Sequence, residues 1–285
     1  MPFTGFVILL LIVTNILVSY KGFTNSLFFD GYKFEVDKLL LHKDYKRLIT
    51  SGFLHVGWGH LLFNMLSLYS FSGLVEMALG SISFLLIYFA SLVGGGLFSL
   101  FIHRNHGDYS SVGASGAVCG VMFASVALFP GMNISLFPLP VSVPSWVYAL
   151  LYVLISIYAI RSQKNNIGHD AHLGGGLVGM LLALVMRPST FLANLPTILI
   201  ILIPCLVFIY LIVTRPALLF VDNLFYKTHK DYYSIDHRYN AERADQQQEV
   251  DRILEKISRR GIGSLSKKEK DTLEAYSKRG DIDRL

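Results

Sequence analysis

One serine and one histidine, each close to the start of an apolar segment, are the residues in this sequence best suited to chemistry. Ser115 follows Gly113 and Ala114 where a polar loop enters an apolar run, and His172 lies near the start of a later apolar run. A polar side chain is costly to bury in such a segment unless it has a partner or a function. A serine becomes a nucleophile when a base takes its proton, and histidine is the usual base. The pair predicts nucleophilic catalysis if the fold brings the two side chains together.

The composition is that of a membrane protein. The chain is 53% hydrophobic and 16% charged, with a mean hydropathy of +0.49, whereas a soluble domain is about a quarter charged. A helix that crosses the bilayer needs about 20 mostly apolar residues. Seven runs approach that length, at residues 3–20, 58–79, 82–102, 112–129, 144–160, 171–186 and 195–214. They predict an all-α polytopic membrane protein embedded in the lipid bilayer.

Charged residues are concentrated at the C-terminal end of the chain. Residues 1–214 hold only 10 of the 25 lysines and arginines and 7 of the 20 acidic residues. The remaining charged residues lie in residues 215–285 and predict a soluble helical tail. Within it, Ser266-x-x-Glu269 is typical of a capping box at a helix start. We therefore expect a six-helix core, an additional transmembrane helix and a polar helical tail, at residues 1–190, 191–216 and 217–285. The net charge of +5 is spread over both parts, so no nucleic-acid partner is predicted.

Span parity gathers the polar residues on one side of the membrane. Consecutive spans cross in opposite directions, so the second, fourth and sixth begin on the same side. His60, Ser115 and His172 each lie within about one turn, roughly 5 Å, of the starts of these spans. Asn64 shares a helix face with His60. A tetrahedral intermediate needs hydrogen-bond donors, which these two side chains and the amides at the start of the fourth span would supply. Asp170 does not face His172 at i and i+2, so the sequence favours a dyad over a triad.

Five glycines are assigned to helix packing around this cluster. Gly116 and Gly120 on the fourth span, with Gly175 and Gly179 on the sixth, form two pairs with the small-x-x-x-small spacing. Small residues at this spacing allow two helix backbones to approach closely. Such an approach would bring Ser115 within reach of the histidine. Gly113, at the start of the fourth span, is given the same supporting role.

Each of these features also has an ordinary structural explanation. Small residues pack helices, His172 could be a buried structural histidine, and His60 with Asn64 could tie helices together. His169 and His172 have a spacing that metal ligands use, but no His-Glu-x-x-His pattern is present, so no metal or other cofactor is predicted. A non-catalytic transporter, channel or membrane-protein binder that uses the same polar cluster is the alternative function.

Several other polar residues are assigned structural roles. We expect His55 to hold a loop–helix junction and Glu76 to serve at the far end of the second span, and we place His103 and His106 in an exposed loop. Both cysteines fall in apolar runs, which predicts free buried thiols at Cys119 and Cys205.

Taken together, the motifs resemble the rhomboid intramembrane serine proteases. The match covers roughly residues 1–190 and keeps the order and spacing of four segments. These are RLITSGFLH from Arg47 to His55, HLLFN from His60 to Asn64, GASG from Gly113 to Gly116, and AHLGG-x-x-x-G from Ala171 to Gly179.

The resemblance implies a six-helix bundle that is open to water from one side, plus the seventh helix found in some members. It implies that Ser115 is the nucleophile and His172 the base, with an oxyanion hole made by His60, Asn64 and the Ser115 amide. The substrate would be a single-span membrane protein cut in or near its transmembrane helix, without metal or ATP. The fifth span and residues 161–170 would form a gate and cap. The tail resembles those of some bacterial members, which implies a bacterial inner membrane.

The sequence departs from the family pattern at two positions. Many members carry a tyrosine or phenylalanine four residues after the nucleophile, stacked on the histidine, whereas this chain has Cys119 there. The Trp-Arg signature of the first loop reads Tyr45-Lys46-Arg47, which keeps the arginine. Neither change removes a catalytic group.

Overall fold

The computed structural model describes residues 5–135, 142–162, 168–214, 250, 252–258, 263, 265–266, 269–270 and 272–273. In chain order, the first part contains α1 (Phe6–Thr24), α2 (Ser26–Tyr32), β1 (Phe34–Glu35), α3 (Val36–Leu40), α4 (Arg47–Thr50) and a 3₁₀ turn (Ser51–Phe53). There follow α5 (Trp58–Leu79), α6 (Ser81–His103), β2 (Ser110–Ser111), α7 (Ser115–Leu128), β3 (Asn133–Ser135), β4 (Ser142–Pro144), α8 (Ser145–Ser162), α9 (His169–Met186), α10 (Pro188–Ala193) and α11 (Leu195–Thr214).

All seven predicted spans are helices, so the chain is an all-α polytopic membrane protein. Within the described residues, α1, α5, α6, α9 and α11 are long and apolar enough to cross a membrane. The helix α7 has only 14 residues and the apolar part of α8 is also shorter. At 1.5 Å per residue, α7 is about 21 Å long, less than the roughly 30 Å of a bilayer's hydrocarbon core. Such a short helix is suited to the interior of a bundle.

The helix α7 lies at the centre of the membrane bundle. Thirteen of its 14 residues are buried, and it packs against α5, α6 and α9. Apart from two serines its side chains are apolar, which fits this position, since a helix that is apolar all round is one surrounded by protein or lipid. Its C-terminal end is held by Asn194, whose side-chain amide donates to the carbonyl of Ala127 at 2.8 Å.

Four of the predicted packing glycines lie at the contact between α7 and α9. A Cβ added to Gly175 would meet the carbonyl oxygen of Gly116, and one added to Gly179 would meet the backbone of Gly120. A Cβ on Gly120 would also lie 2.9 Å from the Gly175 carbonyl oxygen. The two helix backbones are therefore as close as residues without side chains allow.

The connection between α1 and α5 folds around Arg47. This side chain is buried, and its Nε donates to Asp44 Oδ2 at 2.9 Å. Its Nη1 donates to the carbonyls of Asp30 and Lys33 at 2.9 and 2.7 Å. One arginine thus joins the C-terminal end of α2 to Asp44 in the turn before α4, because its guanidinium offers five donors in a fixed fork.

Two structural predictions for polar residues have different outcomes. Glu76 accepts hydrogen bonds from the Gly5 amide at 2.8 Å and from Ser81 Oγ at 2.6 Å, which confirms a structural role at that end of α5. The exposed-loop prediction is wrong for His103, and for His106 the loop is confirmed but the exposure is not. Because α6 continues to His103, that ring faces α9, with Nε2 3.2 Å from Asp170 Oδ2, while His106 is half-buried.

The chain divides into two units, residues 1–227 and 228–285. The predicted boundaries after residues 190 and 216 remain predictions, since most of the tail at 217–285 lies outside the described residues. Within the second unit, Ser266 N donates to Glu269 Oε2 at 2.7 Å and Glu269 N donates to Ser266 Oγ at 3.3 Å. The predicted capping box is therefore formed.

Candidate active site

Ser115 is the first residue of α7. The sequence predicted that this helix begins at 112, with the serine one turn inside, and that boundary is wrong because Gly113 has φ +133, a conformation that a helix does not contain. The first helical hydrogen bond near this end runs from Val118 N to Ala114 O. The amides of Ser115 and Gly116 therefore precede the intrahelical ladder and face outward from the positive end of the helix.

His172 lies on the first turn of α9 and meets this serine. Its Nε2 is 2.7 Å from Ser115 Oγ, a hydrogen-bond distance. The imidazole is buried, and its helix turn is held by a bond from the His172 amide to the Gly168 carbonyl. Asp170 points elsewhere, toward His103, as the i, i+2 spacing predicts. A neutral imidazole in this position can accept the hydroxyl proton of the serine.

His60 and Asn64 lie on α5 at the edge of the same cavity as Ser115. A Cβ added to Gly113 would lie 2.8 Å from Cε1 and 3.0 Å from Nε2 of His60. The predicted role of Gly113 in helix packing is therefore wrong, because this glycine makes room for the imidazole instead. Asn64 Nδ2 donates to the His60 carbonyl at 2.9 Å, which leaves its second N–H for another acceptor.

The cavity beside Ser115 and His172 has a volume of about 840 Å³. It is lined mostly by apolar and aromatic side chains of α5 to α9 and of the connection between α1 and α5, with Ser115, His172, His60 and Asn64 among its polar residues. Its size falls within the range of about 300–1,000 Å³ that is usual for ligand sites. The segment 163–167 of the predicted cap lies outside the described residues, so the gate and cap remain predictions.

The buried arginine supports the turn that precedes the serine. Ser51 Oγ donates to the Arg47 carbonyl at 2.6 Å, and Gly113 N donates to the Ser51 carbonyl at 3.0 Å. The strands β1 and β2 pair in antiparallel fashion and attach the same loop just ahead of α7. The first connection, whose fold the Arg47 guanidinium holds together, thus contacts the start of α7.

Tyr152 is a site residue that sequence reasoning missed. Its hydroxyl lies 2.9 Å from His172 Nδ1 and 3.0 Å from Cys119 Sγ. The residue sits in the middle of α8, outside every motif, so nothing in the local pattern marks it. The one available signal was the small Cys119 where the family has an aromatic ring, which indicates that a ring from another helix occupies the space. Cys119 and Cys205 are free and buried, as predicted.

His55 holds the loop before α5 against α1. Its Nδ1 is 2.8 Å from Ser19 Oγ, and that hydroxyl donates to the Phe53 carbonyl at 2.9 Å. The structural role predicted for His55 is confirmed. Its side chain is fully buried, with the His60 ring 4.9 Å away. Burial, and then the charge of a protonated His60, lower the pKa of His55 to about 3.

This shift predicts a loss of stability in acid. An unfolded histidine takes a proton near pH 6.5, whereas folded His55 stays neutral until about pH 3. Its contribution is therefore complete above pH 6.5 and is lost as the pH falls. Between pH 7 and 4.5 we expect a loss of about 2–3 kcal/mol. Thermal unfolding in detergent should show that wild type exceeds His55→Gln in free energy of unfolding by a smaller margin at pH 4.5 than at pH 7, and that the margin decreases by that amount. His42→Gln, at an exposed position, is the control, and an unchanged gap for His55→Gln would contradict the prediction.

The fold and the site together define a class: a multi-pass helical membrane protein with a serine and a histidine in hydrogen-bond contact at the wall of a cavity. Among the described residues, no group of three or more His, Cys, Asp or Glu side chains is arranged to hold a metal ion. A family model described as the rhomboid domain matches residues 42–189, just over half of the chain. The chain belongs to the rhomboid family.

Named relatives share this core. The chain is 36% identical over 157 residues to rhomboid protein 1, mitochondrial, of Saccharomyces cerevisiae, which covers 53% of this chain and 45% of the yeast protein. It is 30% identical over 180 residues to the rhomboid protease GluP of Bacillus subtilis, covering 62% and 33%. It is 31% identical over 162 residues to the rhomboid protease AarA of Providencia stuartii, covering 52% and 58%. The matches thus span less than two thirds of each relative.

The tail matches a separate model. Residues 233–279 correspond to a family of unknown function, DUF6576. This match agrees with a C-terminal segment distinct from the rhomboid domain and assigns it no activity.

Proposed function

We propose that this protein is a serine endopeptidase that cleaves membrane proteins within the bilayer by means of a Ser115–His172 dyad. The observation that carries the proposal is the 2.7 Å distance between Ser115 Oγ and His172 Nε2 at the wall of the cavity. Membership of the rhomboid family supports it, since two of the relatives are named as rhomboid proteases.

The reaction follows from the positions of the two side chains. His172 Nε2 takes the Ser115 hydroxyl proton while Oγ attacks the carbonyl carbon of the scissile peptide bond. The tetrahedral intermediate collapses as His172 returns that proton to the leaving nitrogen and the C–N bond breaks. A water molecule then gives its proton to His172 and attacks the acyl-enzyme ester. Collapse of the second intermediate returns the proton to Ser115 and releases the carboxylic acid.

The oxyanion of each intermediate needs donors that are already in position. We assign this role to the Ser115 amide, His60 and the second N–H of Asn64. Each lies at the cavity beside the nucleophile, and the amide stands at the positive end of the α7 dipole. No metal or other cofactor takes part in this scheme.

The proposed substrates are single-span membrane proteins. The cavity reaches from the serine to side chains of both α5 and α8, and its lining is mostly apolar. An extended segment of an unwound transmembrane helix has the chemistry to enter such a space, because its side chains are apolar and its backbone can bond to the polar groups near Ser115. The same cavity in a non-catalytic binder or transporter would give no covalent chemistry at the serine.

The protein is a multi-pass membrane protein, and the particular membrane is a further question. A bacterial inner membrane is the prediction from the tail. Two of the relatives above are bacterial and the yeast relative is named as mitochondrial, so the relatives do not share one membrane.

A covalent probe separates the enzyme from a binder. Purified full-length protein in detergent is expected to react with a fluorophosphonate probe at Ser115, because the dyad makes that hydroxyl nucleophilic. His172→Ala should reduce the labelling rate to background, whereas Thr14→Ala, at an exposed hydroxyl on α1, should leave it unchanged. Mass spectrometry of the labelled peptide checks the site. Labelling that persists without His172, or its absence in folded wild type, would refute the dyad.

A further inference from the structure

We infer that Tyr152 is a positioning residue for His172, holding the imidazole in the tautomer and orientation that let it act as a base, with Cys119 holding the tyrosine in turn. The inference rests on the proposed function, because it concerns the same dyad. It adds a third and a fourth side chain on two further positions of the bundle.

Both ring nitrogens of His172 have a partner. Nε2 is 2.7 Å from Ser115 Oγ, and Nδ1 is 2.9 Å from the Tyr152 hydroxyl. A base must offer the lone pair of Nε2 to the serine, so the neutral ring has to carry its proton on Nδ1. A phenol oxygen can accept that Nδ1–H. The tyrosine therefore favours the one tautomer in which the base is ready to accept a proton.

Cys119 gives this chain of hydrogen bonds a direction. Its Sγ lies 3.0 Å from the Tyr152 hydroxyl and can act as a weak acceptor. When the tyrosine donates its O–H to the sulfur, its oxygen lone pairs remain for the Nδ1–H of His172. The donors then run in one order, from Ser115 to His172, to Tyr152, to Cys119, and the two middle members, His172 and Tyr152, each have a partner on both sides.

The tyrosine ring is itself fixed by aromatic neighbours. Tyr148 stacks on it with centroids 6.3 Å apart, and Phe123 packs edge-on with centroids 6.2 Å apart. The rings of Tyr152 and His172 are tilted by 36° with centroids 6.1 Å apart, so the hydroxyl makes the contact and not the ring face. The small Cys119, one turn after Ser115, leaves the space that this hydroxyl occupies. Support for the histidine thus comes from α8, whereas in many family members an aromatic residue four positions after the nucleophile provides it.

This arrangement links the base to the position of α8. Ser115 and His172 lie on α7 and α9, whose backbones pack closely at their glycines. Tyr152 belongs to a different helix, α8, which lines the cavity. The imidazole is fully oriented only while α8 packs against the dyad. A displacement of α8 would leave the Nδ1–H unpaired and lower the reactivity of the serine.

Tyr152→Phe removes only the hydroxyl, and its effect tests the inference. We expect kcat for a single-span model substrate to fall about 10- to 100-fold, because a buried donor loses its partner and the base loses its orientation. KM should stay within about twofold, and the melting temperature of the full chain in detergent should stay near that of wild type. Tyr158→Phe makes the same change at an exposed position of α8 and should have no effect. The rate of fluorophosphonate labelling should fall in parallel with kcat.

The cysteine supplies an independent pair of variants. Cys119→Ser keeps a hydrogen-bond acceptor and should retain most of the labelling rate, whereas Cys119→Ala should lose several-fold. In the Tyr152→Phe background the two should be equal, since they act through the missing hydroxyl.

The inference is overturned if Tyr152→Phe labels and cleaves at the wild-type rate. It is also overturned if the loss only follows a loss of folded protein while Cys119→Ala matches Cys119→Ser. Ser115→Ala separates the two levels of the proposal. If cleavage survives in Ser115→Ala, the proposed function itself is refuted. If Ser115→Ala is inactive while Tyr152→Phe is fully active, only the positioning role of Tyr152 is refuted.

Discussion

Ser115→Ala is expected to abolish cleavage of a co-expressed single-span membrane protein, with a rate lower by at least about four orders of magnitude. The hydroxyl oxygen is the atom that would form the bond to substrate, and alanine offers nothing in its place. The amount of folded protein should not change. The side chain is small and half-buried, and its hydrogen bond to His172 Nε2 lies at a cavity wall where water can replace it.

Cleavage is measured by immunoblot of the substrate, beside the amount of each variant of this protein in the membrane fraction. Ser125→Ala is the matched control, because it makes the same change deeper in α7 where Ser125 Oγ only donates to the Met122 carbonyl. That variant should cleave like wild type. If Ser115→Ala keeps cleaving, or if the two variants behave alike, Ser115 is not the nucleophile.

Gly179→Ala is expected to produce the largest loss of stability among single methyl additions at the helix contact. The new Cβ would overlap the carbonyl carbon, carbonyl oxygen and Cα of Gly120. These are backbone atoms that cannot turn aside, so α7 and α9 must separate. Overpacking of this kind costs about 1–3 kcal/mol or more. Because Ser115 and His172 lie on these two helices, the separation should also lower the labelling rate.

Gly73→Ala provides the comparison for this variant. It adds the same methyl group within α5, where a Cβ would meet nothing within 4 Å. Alanine favours a helix by up to about 1 kcal/mol over glycine, so this variant should be as stable as wild type or slightly more stable. The test is to measure the melting temperatures of Gly179→Ala and Gly73→Ala in detergent. Equal values would mean that the α7–α9 contact can relax and is not limited by its glycines.

The sequence by itself determined the framework of this protein. Runs of apolar residues predicted all seven helices, since the bilayer demands about 20 such residues for each crossing. The order of the spans alone then placed His60, Ser115 and His172 on one side of the membrane. The capping box at Ser266 and Glu269 was also readable, because its hydrogen bonds join residues only three apart. Each of these features depends on residues that are close in the sequence or on the number and order of the spans.

The tertiary structure decided how the side chains meet. It begins α7 at Ser115 and places Gly113 against the His60 ring. It also brings His103 of α6 into contact with Asp170 of α9. It also brings Tyr152 to His172 from the middle of a span that carries no motif. Hydropathy and periodicity say where a helix lies along the chain but not how it is rotated or how closely it approaches its neighbours. Rotation and approach follow from the packing of all the helices together, so the partner of His172 Nδ1 could be found only in the folded bundle.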